Sequence, residues 1–153
     1  MLLLGAFLAG LVAGLRAMLA PAIVSWFARA GVLTVVGTPL AFMGYKYTAL
    51  ILTILALTEL VVDKLPSTAS RKAPPGFIAR IVTGGLAGAT IGAAGNSLVV
   101  SLVLGVVGAV AGTLGGAAAR AKLAAAFGRD LPAALVEDLA AILIAVFSVL
   151  RLA

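Results

Sequence analysis

The chain has 153 residues, of which 63% are hydrophobic and 10% charged, and its net charge is +6. An average soluble domain has about 45–50% apolar and 25% charged residues. This composition therefore excludes a water-soluble globule and predicts a single all-α, polytopic membrane domain over residues 1–153. The absence of cysteine and histidine excludes disulfides, thiol catalysis and zinc or haem ligation by these residues, and we expect no cofactor or metal. Because the basic residues lie between apolar runs, nucleic acid is not an expected partner.

Five apolar runs predict five membrane-spanning helices at about 2–29, 39–65, 77–95, 97–122 and 131–151. The first run continues past Arg16 and lacks a basic start, so we interpret it as a retained helix rather than a secretory signal. Thr38 followed by Pro39 is typical of a helix start, and Pro66 is expected to end that second helix. The polar stretch over residues 67–76 is predicted to be a loop.

The loop cations predict the orientation of the chain. In the five-helix interpretation, the loops after the second and fourth helices lie on the same side as the N-terminus. That side carries seven cations and the other carries three, which predicts a cytoplasmic N-terminus. The two groups are Lys64, Arg71, Lys72, Arg80, Arg120, Lys122 and Arg129 on the first side, and Arg29, Lys46 and Arg151 on the second.

Glycines recur every four residues in the third and fourth predicted helices. Such small-residue ridges let membrane helices approach closely, so they predict a tightly packed hairpin and favour assembly into a homodimer or larger homo-oligomer. A glycine-lined pore is the functional alternative. The ridges are Gly84, Gly88 and Gly92 in one helix and Gly108, Gly112 and Gly116 in the other.

A weak internal similarity aligns residues 10–19 with residues 114–123 and places Arg16 on Arg120. In the five-helix interpretation the two segments enter the membrane from opposite faces. The similarity therefore suggests an inverted repeat of helices one and two against helices four and five, an arrangement found in many transporters.

All five acidic residues lie in two places, near the end of the second predicted helix and around the start of the fifth. Unpaired carboxylates are costly at membrane depth and are expected to face protein or water. We therefore predict one polar cluster at the cytoplasmic side, which acts either as a substrate or ion path or as structural salt bridges. Its members are Glu59, Asp63, Arg80, Arg120, Glu137 and Asp138.

Arg16 is the charged residue that lies inside an apolar run. An arginine at the centre of a spanning helix costs from about 3 to more than 10 kcal/mol, so it needs a partner. Counted along the first helix, it should lie about 20 Å from the cytoplasmic end. We predict that it serves the same polar path from deeper in the membrane; the structural alternative is that it binds backbone carbonyls freed around Pro21.

Three segments, GLRAMLAPAIVSW, ELVVDKLPSTASRKAPPGFIARIVTGGLAGA and RAKLAAAFGRDLPAALVEDLAA, resemble the bacterial integral-membrane family called domain of unknown function 4126. The resemblance covers most of the chain and implies a multi-pass protein of the bacterial inner membrane. The family has no established activity. After Pro66 this chain has Ser67 to Ser70 where family members often carry another acid, so a metal site there is not expected. The matching positions are Gly14, Arg16, Glu59, Asp63, Lys64, Pro66, Arg80, Gly84, Glu137 and Asp138.

Taken together, these features favour a small transporter or channel, proton- or cation-coupled through the acidic cluster, with an ion, lipid or small solute as its cargo. An accessory or structural membrane subunit is the alternative. A membrane enzyme acting on lipid is less favoured, because the sequence has no acidic array of the kind that binds Mg²⁺ and no nucleophilic His or Cys.

Overall fold

The computed structural model describes residues 1–64 and 73–150, and this part of the chain contains helices and no β-strand. Three of the helices are long and apolar enough to cross a membrane, and α1 is a shorter apolar helix. The predicted all-α membrane protein agrees with this, whereas the count of five spans is not confirmed. The elements are α1 (Leu2–Leu15), α2 (Leu19–Arg29), a 3₁₀ turn (Ala41–Gly44), α3 (Lys46–Val62), α4 (Pro74–Ala93), α5 (Leu98–Phe127) and α6 (Asp130–Leu150).

The first apolar run is not one helix, and the prediction of a single span over residues 2–29 is wrong. Arg16 has an extended backbone, with φ −141° and ψ 107°, and α2 begins three residues later at Leu19. Pro21 gives a local reason, because a proline ring clashes with the carbonyl four residues earlier, here that of Ala17. The run is therefore two short helices joined by a break.

The chain reverses direction at this break, so α1 and α2 form a helical hairpin. At the start of α1, the Leu2 side chain lies against Gly95 in the turn between α4 and α5. After α2, residues 37–39 line a surface groove together with residues 96–100. Both outer ends of the hairpin therefore lie at the end of the bundle that carries the α4–α5 turn, which we call the turn end. The opposite end, with the α5–α6 turn at Gly128, is the acid end.

The reversal places the N-terminus at the turn end, away from the α5–α6 turn, whereas the prediction placed the two on the same side. The cytoplasmic N-terminus stays a prediction. Gly10 of α1 lies against Gly105, and Gly14 lies against Thr113, so α1 and α5 run in the same direction. The inverted repeat requires the two aligned segments to enter from opposite faces. The structure therefore does not support it.

The second predicted helix begins later than its sequence signal indicates. The Thr38 hydroxyl donates to the Val35 carbonyl and accepts from the Leu40 amide, which forms a local turn rather than a helix start, and α3 begins at Lys46. Pro66, Arg71, Lys72 and most of the predicted 67–76 loop lie outside the described residues.

The centre of the bundle is formed by α1, α4 and α5. The α4 ridge of Gly84, Gly88 and Gly92 packs on α5 around Ser101 and Gly105. In the α5 ridge, Gly108 and Gly112 contact the backbone of α1 rather than α4, and Gly116 is buried. A Cβ on Gly108 would lie 2.8 Å from the Leu11 amide nitrogen, so the helices are in backbone contact. These faces are closed by helix packing and do not line an open pore.

Candidate functional site

A cluster of charged side chains lies at the acid end of the bundle, where the hairpin break meets the end of α3 and the first turns of α4 and α6. Arg80 is six residues into α4 and Asp138 eight residues into α6, which corresponds to about 9 and 12 Å along these helices. All of the residues predicted for the cluster lie here together with Arg16, which was predicted to serve the same path, and the structure adds Lys64 and Asp130. We call this set the polar cluster: Arg16, Glu59, Asp63, Lys64, Arg80, Arg120, Asp130, Glu137 and Asp138.

Arg16 lies at the centre of the polar cluster, and its side chain is 0% exposed. Its Nε donates to Asp138 Oδ1 at 2.7 Å, and its Nη1 pairs with the Asp63 carboxylate. Its Nη2 is 2.5 Å from the same Asp138 oxygen, but makes no hydrogen bond of good geometry within the described residues. The prediction that Arg16 lies deeper in the membrane than the acids is wrong, because the chain reverses and brings the hairpin tip into contact with them. The buried cation is therefore neutralised by two carboxylates.

The Glu59 carboxylate binds two backbone amides in the helix break that directly precedes α2. The Ala17 amide donates to Glu59 Oε1 at 2.7 Å, and the Met18 amide donates to Oε2 at 2.8 Å. The first amides of a helix have no partner within the helix and carry the positive end of its dipole, so a carboxylate stabilises them. Arg80 Nη2 lies 3.9 Å from Oε1 on the other side. This capping role was missed from the sequence, because the capping residue is more than 40 positions from the helix that it caps.

The other side of the break is satisfied by α5. In a continuous helix the Gly14 carbonyl would accept a hydrogen bond from the Met18 amide, but that amide is bound to Glu59. Instead, Thr113 Oγ1 lies 3.2 Å from the Gly14 carbonyl and 2.8 Å from Ala109 O of its own helix. The sequence analysis did not identify Thr113 as a site residue. Residues distant in sequence thus complete the hydrogen bonds of both half-helices.

Asp138 connects the hairpin tip to the end of α3. Its Oδ1 accepts from Arg16, and its Oδ2 accepts from Lys64 Nζ at 2.8 Å. The Lys64 ammonium also donates to the Leu60 carbonyl at 2.8 Å. Lys64 therefore pairs with the polar cluster rather than extending away from it.

The Arg120 guanidinium forms a second group within the polar cluster. Its Nε and Nη2 donate to the two Asp130 oxygens at 2.9 and 2.6 Å, and its Nη1 is 3.7 Å from Glu137 Oε2. Glu137 and Asp138 are adjacent in α6 but pair with different arginines. The predicted cluster therefore consists of two ion-pair groups joined through α6.

The side chains around Arg16 differ in their exposure. The Arg16 side chain is fully buried, whereas the Asp63 and Glu59 side chains are 14% and 15% exposed and that of Lys64 is 26% exposed. Within residues 1–64 and 73–150, no three His, Cys, Asp or Glu side chains are grouped in a way that could hold a metal ion. The chemistry available here is the exchange of protons, ions or hydrogen-bond partners at the carboxylates.

Comparison of the chain with protein-family models, with curated proteins and with solved structures gives no match. The resemblance to domain of unknown function 4126 therefore stays a prediction.

Proposed function

We propose that the chain is a small transport protein of the bacterial inner membrane, in which the polar cluster forms a gate at the acid end. The observation that carries this proposal is the hairpin break at Arg16, where two half-helices meet inside an apolar bundle. Non-helical backbone at membrane depth is tolerated only where it is buried in protein or lines a cavity. Half-helices that end within the membrane form the substrate and coupling-ion sites of many transporters.

The cost of the polar cluster also supports a functional role. It contains four cations and five acids, the latter being every acidic residue of the chain. Replacing buried ion pairs by well-packed apolar side chains is often neutral or stabilising. Structural stability alone therefore does not require so many charges, and ionisable groups within a membrane generally mark a functional site.

The carboxylates are the groups that would load and release a coupling proton or cation. Glu59 and Asp63 keep an exposed edge while the cation between the helices is sealed, so solvent reaches the acids first. The cargo is a small hydrophilic solute or ion that passes when the ion pairs separate. With the pairs formed, as they are in this structure, the gate is closed.

The orientation that we propose places the acid end in the cytoplasm and the N-terminus outside. Besides Arg16, the described residues of the acid end carry five cations against two at the turn end, and cations are retained on the cytoplasmic side. Four crossings, α3 to α6, together with a hairpin that enters and leaves from the outer side, replace the five spans. The cations are Lys64, Arg80, Arg120, Lys122 and Arg129 at the acid end and Arg29 and Lys46 at the turn end.

A structural subunit without transport of its own is the second candidate. The observation that favours it is the complete burial of Arg16 between two carboxylates, together with the use of Glu59 as a helix cap. Assembly with a second copy remains a proposal for either function. The described glycine ridges pack against helices of the same chain, so a second copy would have to bind a different surface of the bundle.

Flux into proteoliposomes distinguishes these two candidates. The purified protein is assayed for uptake of protons, alkali cations, inorganic anions and small organic acids, and we expect uptake of at least one. Glu59→Gln and Arg16→Lys should abolish it, because an amide cannot ionise and an ammonium cannot reproduce the planar guanidinium. Arg29→Lys, an exposed substitution at the turn end, is the matched control and should transport normally. No flux above empty liposomes would favour the structural subunit. Equal flux for the parent and all variants would refute the role of the polar cluster as the gate.

A further inference from the structure

The helix α3 is far less packed than the rest of the bundle. Of its 17 residues, Ala49 and Ala56 are buried, and its packing is against α2 and the 3₁₀ turn. Apolar side chains such as Ile54 and Val61 are 62% and 65% exposed along its outer face. In a membrane this face meets lipid.

The centre of the bundle differs from α3 in how it is held. Between α1, α4 and α5 the contacts are between backbones, and a Cβ added to Gly88 would lie 2.9 Å from the Gly105 Cα. Interfaces of this kind depend on close fit over their whole length and have little freedom to slide. We treat α1, α4 and α5 as a rigid core.

The described polar contacts that tie α3 to the remainder of the polar cluster come from residues 59–64. Glu59 accepts hydrogen bonds from the two backbone amides that precede α2, Asp63 pairs with Arg16, and Lys64 donates to Asp138. These three residues lie within about one and a half helical turns of one another. We call Glu59, Asp63 and Lys64 the latch.

We propose that α3 is the mobile helix of the gate, held against the rigid core at the acid end by the latch. Lipid tails are as apolar as the side chains of α3, so no hydrophobic force returns this helix to the bundle once the latch opens. The latch therefore sets the position of the acid end of α3, while the hydrogen bond from Trp26 Nε1 to Thr53 Oγ1, at 2.8 Å, ties its middle to α2. Release of the latch lets this end of α3 move away and opens the polar cluster to the cytoplasm. This inference rests on the proposed gate, but it concerns movement rather than transport.

The test is a distance measurement by pulsed electron paramagnetic resonance in lipid nanodiscs. Spin labels are placed at the exposed positions Val61 of α3 and Leu139 of α6. The parent protein should give one narrow distance distribution. In the Glu59→Gln/Asp63→Asn double variant the distribution should broaden, and its mean should shift by about 4–5 Å, half the 8–10 Å spacing of packed helices. An unchanged distribution would overturn the proposal.

A second label pair, at Val82 of α4 and Val103 of α5, reports on the rigid core. It should not change in the double variant; a change at both pairs would overturn the division into a rigid core and a mobile helix. Asp130→Asn breaks an ion pair that does not involve α3 and is the matched control. If it shifts the α3 distance as much as the double variant does, the latch is not what holds α3. A shift in α3 without any measurable flux would refute the transport function and leave the latch standing.

Discussion

The packing of α1 on α5 makes a sharp prediction about two glycines three residues apart in α5. A Cβ on Gly112 would lie 2.9 Å from the Leu11 carbonyl carbon and 3.1 Å from the Gly14 Cα, whereas ordinary contact begins at 3.4 Å. A Cβ on Gly115 meets nothing within 4 Å. Gly112→Ala must therefore push α1 and α5 apart by at least 0.5 Å, against backbone atoms that cannot rotate away. Gly115→Ala requires no movement.

We expect Gly112→Ala to destabilise the fold by about 1–3 kcal/mol, the usual cost of overpacking a close interface, which raises the unfolding equilibrium constant about 5- to 150-fold. Gly115→Ala should be neutral or stabilise by up to about 1 kcal/mol, since alanine is the better helix former. Both are measured by reversible SDS unfolding in mixed micelles, followed by circular dichroism. Equal stability of the two variants would refute the backbone contact between α1 and α5.

Three further outcomes follow from the hairpin. Glu59→Gln should lower the free energy of unfolding by about 1–3 kcal/mol, because one of the two amides before α2 loses its carboxylate partner in a buried setting. An unchanged free energy of unfolding in an SDS titration would contradict the capping role. Thr113→Val should lower the free energy of unfolding by about 0.6–1.7 kcal/mol, because the hydrogen bond to the Gly14 carbonyl is lost. Thr58→Val should lower it less, because Thr58 is exposed and bonds within its own helix. The reverse order of the two losses would count against the Thr113 bond. An N-terminal epitope and a cysteine placed at Thr38 should be accessible from the same side of intact membranes. Accessibility from opposite sides would support a single spanning helix over residues 2–29 and refute the hairpin.

The sequence by itself determined the class of protein and most of its helices. The predicted runs at 77–95, 97–122 and 131–151 agree closely with α4, α5 and α6, because the length of an apolar run and the turn residues beside it are local properties. The one large shift is the end of α5 at Phe127. Arg120 and Lys122 do not stop a helix, and the alanines after them favour one, so α5 continues until Gly128 adopts the left-handed conformation with φ 67°.

The hairpin was decided by tertiary structure. A 28-residue apolar run, from Leu2 to Arg29, has the same composition whether it crosses once or turns back. The turn depends on Glu59, 42 and 41 residues from the amides that it binds, and on Asp138, 122 residues from Arg16. Pro21 was the local signal, but a proline alone also fits a kinked continuous helix. The position of the N-terminus at the turn end follows from this one missed reversal.

The polar cluster shows the same division between local and tertiary information. The sequence identified four of its five carboxylates and both Arg80 and Arg120, because charged residues near the ends of apolar runs must meet at membrane depth. Which acid pairs with which cation was not predictable. Adjacent residues on a helix point about 100° apart, so Asp138 turns to the hairpin tip while Glu137 turns to Arg120. Only the packing of α6 between the hairpin and α5 gives each of these directions a partner.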